Sequence, residues 1–140
     1  MSLTREELTA VEELPIKGDA DVVRVRQSMR SAAISAALSL VDQTKAVTAA
    51  SELARNTLIH GGGGVAQIET VSAQGRRGVR AAFVDQGPGI ADIDLALTDG
   101  FTTGTGLGLG LSGSRRLVDG FEIESVPGEG TRVVIHKWAR

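Results

Sequence analysis

A chain of 140 residues with 41% apolar side chains and a formal net charge of -2 has the size and apolar content of one domain with one core. It lacks the basic excess that nucleic-acid binders use to displace counterions, so nucleic acid is not an expected partner. The absence of cysteine excludes disulfides and thiolate metal sites, and with no charged-then-apolar leader and no apolar run of about 18 residues, no membrane partner is expected and the cytoplasm is the expected compartment.

One domain over 1–140 is expected, with a polar, acidic and frayed stretch over 1–13. Leu14-Pro15-Ile16 allows a short strand that proline restricts to a sheet edge. A first helix is expected from Asp21, read as its N-cap, because Val22, Val25, Met29, Ala33, Ala36 and Leu40 recur at helical spacing. Arg26 and Arg30 share another face of it. A second helix runs from near Asp42 to about His60 with Val47, Ala50, Ala54 and Leu58 inward, and four glycines, Gly61 to Gly64, end it. Glu52 and Asn56, four apart, project side by side from this helix.

Val65 to Val71, a turn region over Gln74 to Gly78, and Val79 to Val84 read as a β-hairpin. Period two puts Asp85 on the face of Val79, Ala81 and Phe83, where a carboxylate needs a partner to offset its desolvation. Asp92 to Thr98 fits a short helix, Asp99 to Thr105 a loop, and Gly106 onward a helix through Leu107, Leu111 and Val118. Strand Phe121 to Ser125, a Pro127-Gly-Glu-Gly130 turn and strand Thr131 to Trp138 close the chain, with Thr131, Val133 and Ile135 on one face. Hairpins interspersed with helices predict an α+β, two-layer sandwich: a mixed, mostly antiparallel sheet covered on one face by three helices.

The 18 glycines are nearly twice the roughly 7% of average proteins and mark special backbone sites. Gly108 to Gly113 matches GxGxxG, but no strand precedes it and no βαβ unit follows, so a dinucleotide site is rejected; no GxxxxGK[ST] exists either. The run Gly104-Thr-Gly106-Leu107-Gly108-Leu-Gly110 provides a flexible backbone opening into a helix, a setting for an anion, or else a helix start with incidental glycines. Glu52 and Asn56 are either solvated surface residues or a proton acceptor beside an oxygen ligand for Mg²⁺. Asp85-Gln-Gly87-Pro-Gly89 is either a plain turn or a carboxylate for an exocyclic amino group beside a flat glycine shelf. His60 and His136, the latter in an edge-like strand, are read as structural, Trp138 as a packing anchor rather than a ligand stack, and the Arg76, Arg77 and Arg80 cluster as a solvated hairpin, with a partner-docking face as the lesser reading.

Taken in order, ExxxN, DxGxG and GxGxG, with Gly130-Thr131 entering a late strand, resemble the GHKL (Bergerat-fold) ATP-binding superfamily of gyrase, Hsp90, histidine kinases and MutL. Glu52-Leu-Ala-Arg-Asn56 with His60 resembles the anti-sigma-factor serine/threonine kinase branch. Asp85-Gln-Gly-Pro-Gly-Ile90, Asp99-Gly-Phe101, Val126-Pro-Gly-Glu-Gly-Thr131 and Lys137-Trp138 resemble its RsbT-type stressosome switch kinases. The lid, richer in glycine, leans toward the GxGLGL of histidine kinases.

The resemblance implies Mg-ATP as the nucleotide, Glu52 as the general base, Asn56 as the Mg²⁺ ligand and Asp85 as the adenine reader. It further implies Gly87 and Gly89 as the adenine-side loop, Gly104, Gly106, Leu107, Gly108 and Gly110 as the phosphate lid, and Thr131 as a second adenine-side hydrogen bond. The implied activity is phosphorylation of serine or threonine on a STAS-domain antagonist or scaffold, with an RsbU-type phosphatase or a sigma factor as further partner. The alternative is a nucleotide-gated binding switch or anti-sigma factor whose output is protein association, with Arg26 and Arg30 as a docking face. A plain ATPase or detached histidine-kinase domain is the third reading.

Overall fold

Alternating small and branched residues on three central strands produce one apolar sheet face, and the two long helices bury it. The computed structural model describes residues 11–90, 93–97 and 110–140. In chain order they form β1 (Glu12–Ile16), α1 (Asp19–Ser35), α2 (Leu40–Ile59), β2 (Gly64–Ala73), β3 (Arg76–Asp85), α3 (Ile93–Ala96), α4 (Gly110–Arg116), β4 (Gly120–Val126) and β5 (Gly130–Trp138). The strand order is β1-β2-β3-β5-β4, and every pairing is antiparallel. This is an α+β sheet-and-helix sandwich.

Ala66, Ile68, Val79, Ala81, Phe83, Val133 and Ile135 are buried on the inner face, against Val22, Val25, Met29 and Ala33 of α1 and Ala46, Ala50, Leu53 and Ala54 of α2. Alanine predominates on α2 at these positions, which lets the helix axis come close to the sheet. The opposite face carries no comparable core: Ala82 and Val134 are buried there among polar neighbours, including a Glu69–Arg80 ion pair at 3.0 Å.

Several boundaries differ from those the sequence predicts. Asp21 is not the N-cap of α1; Gly18 is, and Asp21 reaches back from the first turn to accept the Lys17 and Gly18 N–H groups at 2.8 and 3.1 Å. Leu40 does not extend the α1 stripe. The chain leaves the helix through Ala37 at φ 65°, and Leu38 takes the buried position while Leu40 is 72% exposed. Ser39 then caps α2 by accepting the Asp42 N–H at 3.1 Å. The β2–β3 turn is only Gln74-Gly75, with φ 54° and 80°, the two positive values of a type I′ hairpin, so Arg76 to Gly78 belong to the strand. β1 begins at Glu12, earlier than Leu14, and is an edge strand. β5 lies between β3 and β4, so His136 stands inside the sheet, not at an edge. It stacks on Trp138 at 5.9 Å, and the Arg76 guanidinium lies 5.7 Å from the Trp138 ring centre.

Away from the C-terminal tip of β3, the inner layer ends in an ionic cluster that the sequence does not announce. Lys137, on the inner face of β5, is buried and lies 3.6 Å from Asp42 and 3.7 Å from Asp119. Arg140 joins both carboxylates, at 3.8 and 2.7 Å. Asp119 also accepts the Trp138 N–H at 2.8 Å. Burial works against its charge, but the Trp138 N–H and the positive charges of Lys137 and Arg140 outweigh that and hold its carboxyl below the usual range. The cluster ties the start of α2 to the end of β5.

Candidate functional site

The antiparallel register determines what surrounds Asp85, the last residue of β3: Gly64 stands opposite it on β2 and Thr131 on β5. One carboxylate oxygen, Oδ1, accepts the Gly87 N–H at 2.9 Å and the Thr131 N–H at 3.3 Å. Two backbone donors therefore fix the rotamer at the end of the apolar face, and they supply the partners that burial of a carboxylate demands.

The other side of the carboxylate meets the end of α2. Asn56 O accepts the N–H groups of both His60 and Gly61, at 2.9 and 3.2 Å, and Thr57 O accepts that of Gly63 at 2.9 Å. This closure brings Gly61 directly against Asp85. A β-carbon at Gly61 would overlap the Asp85 carboxyl group, at 2.5 Å from Oδ2, and one at Gly87 would come 2.7 Å from the Gly61 α-carbon. The glycine run therefore does more than end a helix: it leaves a side-chain-free shelf against the carboxylate. Gly61 is a site residue that the sequence reading missed, because a requirement set by close approach leaves no local mark.

Glu52 and Asn56 lie on successive turns of α2, about 6 Å apart along its axis, and both are half-buried. Asn56 sits one turn before the contact with Asp85. Glu52 is farther back, about 14 Å along the axis from Gly61, a span on the scale of an extended nucleotide. Gly89 packs over the Val126 carbonyl, and Gly128 N–H donates to Pro88 O at 2.8 Å, so the 86–90 loop is held against the β4–β5 turn. Gly110 is the first residue of α4, which packs on α2. Gly104, Gly106, Leu107 and Gly108 lie outside the described residues.

These groups fit an adenine nucleotide. A carboxylate with one oxygen engaged by the backbone keeps acceptor capacity for an exocyclic amino group, and the shelf formed by Gly61 and Gly87 is a cradle that β-carbons would fill. For Mg²⁺, the fitting donor is the Asn56 amide oxygen, since this ion is held by one or two protein oxygens together with substrate phosphates. No group of three or more His, Asp or Glu side chains that could hold a metal occurs among the described residues. No helix among them is long and apolar enough to cross a membrane.

Comparison with known proteins identifies the family. Residues 41–139 match the family model described as histidine kinase-, DNA gyrase B-, and HSP90-like ATPase. The chain is similar to the serine/threonine-protein kinase RsbT of Bacillus subtilis (strain 168), 46% identical over 120 residues that cover 86% of this chain and 90% of that one. It is also similar to the anti-sigma F factor of Thermoanaerobacter sp. (strain X514), 35% identical over 65% of this chain and 66% of the relative. Among solved structures, the RsbU and RsbW domains of a Mycobacterium tuberculosis protein share the fold with a TM-score of 0.61 at 21% identity, covering 94% of this chain and 34% of that one. The chain thus belongs to the histidine kinase-, DNA gyrase B- and HSP90-like ATPase family, in its branch of serine/threonine kinases and anti-sigma factors, and is an ATP-dependent kinase.

Proposed function

We propose that residues 1–140 act as one cytoplasmic kinase unit of a partner-switching stress or sigma-factor pathway, transferring the γ-phosphate of Mg-ATP to a serine or threonine of a STAS-domain antagonist or scaffold. The observation that carries this reading is the 46% identity, across 90% of its length, to a relative named as a serine/threonine-protein kinase. Asp85 receives the adenine amino group at its free oxygen, Gly87 and Gly89 flank the base, and Thr131 adds a second hydrogen bond. Asn56 provides the oxygen for Mg²⁺, which when bound neutralises phosphate charge. The lid over the phosphates is assigned to Gly104, Gly106, Leu107, Gly108 and Gly110. Glu52 takes the proton of the acceptor hydroxyl while that oxygen bonds to the γ-phosphorus and ADP departs with the electrons of the broken P–O bond. So small a site suffices, because phosphoryl transfer depends mainly on alignment and charge stabilisation.

The similarity to anti-sigma F factors supports a second output, in which nucleotide occupancy gates association with a phosphatase of the RsbU type or a sigma factor. The exposed Arg26 and Arg30 of α1 are its candidate docking groups. The test is radiolabelled ATP transfer to a purified STAS-domain protein. Wild-type chain should label a serine or threonine, and Glu52→Gln should keep ATP affinity while losing about 10²- to 10⁴-fold in transfer. Undiminished transfer by Glu52→Gln would overturn the base assignment, and nucleotide-dependent partner binding without any labelling would favour the association switch.

A further inference from the structure

The end of the β2–β3 hairpin takes no part in the nucleotide site. Residues 71–80 hold three arginines, Arg76, Arg77 and Arg80, and no acid, in a chain whose formal net charge is -2. Arg76 opens β3 and Asp85 ends it, so the two stand about 30 Å apart along the strand. Arg76 and Arg77 are exposed, and among the described residues neither pairs with a carboxylate. The acids at this end are already engaged, Glu69 with Arg80 at 3.0 Å and Asp119 with Arg140 at 2.7 Å. A surplus of positive charge therefore stands at the hairpin end.

Gly78 decides how Arg76 is held. It lies opposite Trp138 in the register, and a β-carbon there would come 2.7 Å from Trp138 Cε3 and 2.6 Å from the Lys137 carbonyl oxygen. Without that β-carbon, the indole packs against the strand. His136, two residues earlier on β5, stacks on the indole with ring centres 5.9 Å apart and planes 9° apart, and the Arg76 guanidinium lies over the same ring at 5.7 Å. Cation–π attraction consumes no N–H donor, so the guanidinium fork stays available for two parallel bonds to a carboxylate. The ring also restrains a rotamer-rich side chain, so less freedom is lost when a ligand arrives. By period two, Arg77 faces the other side of the same strand end.

We propose that the hairpin end is a second docking site, remote from the nucleotide, that takes an acidic segment of a partner protein. One carboxylate of that segment pairs with Arg76 on its Trp138 support, and a neighbouring carboxylate reaches Arg77 as the segment crosses the end of the hairpin. A partner held there leaves the Asp85 end of the sheet uncovered. The inference stands apart from the nucleotide assignments, since none of its residues belongs to them.

Trp138 is the only tryptophan in the chain, so its emission reports this site alone. Titration of the full chain with a peptide of eight glutamates should shift that emission saturably, whereas a peptide of eight glutamines should not. Arg76→Ala should weaken the glutamate peptide about 10-fold, the weight of a hydrogen-bonded charge pair, and Arg77→Ala about 3-fold, the weight of an exposed ion pair. Arg76→Lys keeps the charge but loses the planar fork, and should still weaken binding at least about 3-fold. If Arg76→Ala does not fold, Arg76→Gln should show the same loss. Calorimetric ATP affinity should be unchanged in all of these variants. An arginine that merely braces the hairpin would lower thermal stability on substitution and leave peptide affinity alone, and that result would overturn the proposal. So would Arg76→Lys binding as wild type, a chain indifferent to the glutamate peptide, or an equal shift with inorganic phosphate or phosphatidylserine vesicles.

Discussion

Replacing Gly61 with alanine tests whether the end of α2 shapes the nucleotide site. The backbone at Gly61 is outside the left-handed region, so alanine meets no conformational obstacle there. The added β-carbon comes within 2.5 Å of both the Asp85 β-carbon and Oδ2, so the whole Asp85 side chain must shift. That motion breaks its bonds to the Gly87 N–H at 2.9 Å and the Thr131 N–H at 3.3 Å. Hydrogen bonds to charged groups contribute about 1.5–3 kcal/mol, and overpacking costs about 1–3 kcal/mol where neighbours cannot yield. Because the second bond is long and Asp85 is only half-buried, a loss of about 2–3 kcal/mol in stability is expected, read by urea denaturation. ATP affinity measured by calorimetry should fall at least about 10-fold, equivalent to about 1.4 kcal/mol. In an Asp85→Gly background, which removes the β-carbon together with the carboxyl group, that clash disappears, and Gly61→Ala should cost much less than it does in the wild-type chain. Equal cost in both backgrounds, or wild-type ATP affinity in Gly61→Ala, would refute the reasoning.

Asn56→Ala should raise the Mg²⁺ concentration that supports half-maximal transfer by about 10-fold, the weight of one charge-assisted contact, while Mg²⁺-free nucleotide binding stays near wild type. An unchanged Mg²⁺ titration would remove Asn56 as the ligand. Lys137→Met should destabilise the fold by about 2–3 kcal/mol, below the usual cost of breaking a buried pair because Arg140 still reaches Asp42 and Asp119. The pKa of Asp119 is lowered in the fold, so its contribution is present above the ordinary carboxylate range and is lost as pH falls below about 4; Lys137→Met should flatten that acid limb of the stability curve. Burial, then the charge of Arg80, lowers the pKa of His136 against the opposing pull of Glu122 and Glu69. The unfolded chain therefore takes up this proton first, and stability should decline as pH falls from about 6.5 toward the folded value. His136→Gln should remove that slope in denaturation series at stepped pH, and a slope unchanged by the substitution would contradict it.

Strand and helix identities were largely legible in the sequence because burial of one face imposes a period. Val79, Ala81 and Phe83 at period two placed Asp85 on the inner face, and helical spacing placed Glu52 beside Asn56. Boundaries were less legible where a local competitor intervened. The left-handed Ala37 diverted Leu40 to the surface, and two positive φ values at Gln74-Gly75 shortened the turn. The Ser125–Thr131 hydroxyl pair, 2.9 Å apart across the β4–β5 register, was hidden for a different reason, since a serine in a strand looks alike whether it faces water or another hydroxyl.

The sequence alone thus determined which chemical groups are present and which neighbours along the chain share a face, because side-chain periodicity is a local property. Tertiary structure alone decided that Gly61 presses on Asp85, that Thr131 holds the carboxylate by its backbone N–H group, and that the Ser125 and Thr131 hydroxyls meet at 2.9 Å. Those contacts join residues 24 to 46 positions apart or pair them across a strand register, and only the packing of α2 against the tip of β3 and the pairing of β5 beside it bring them within bonding distance.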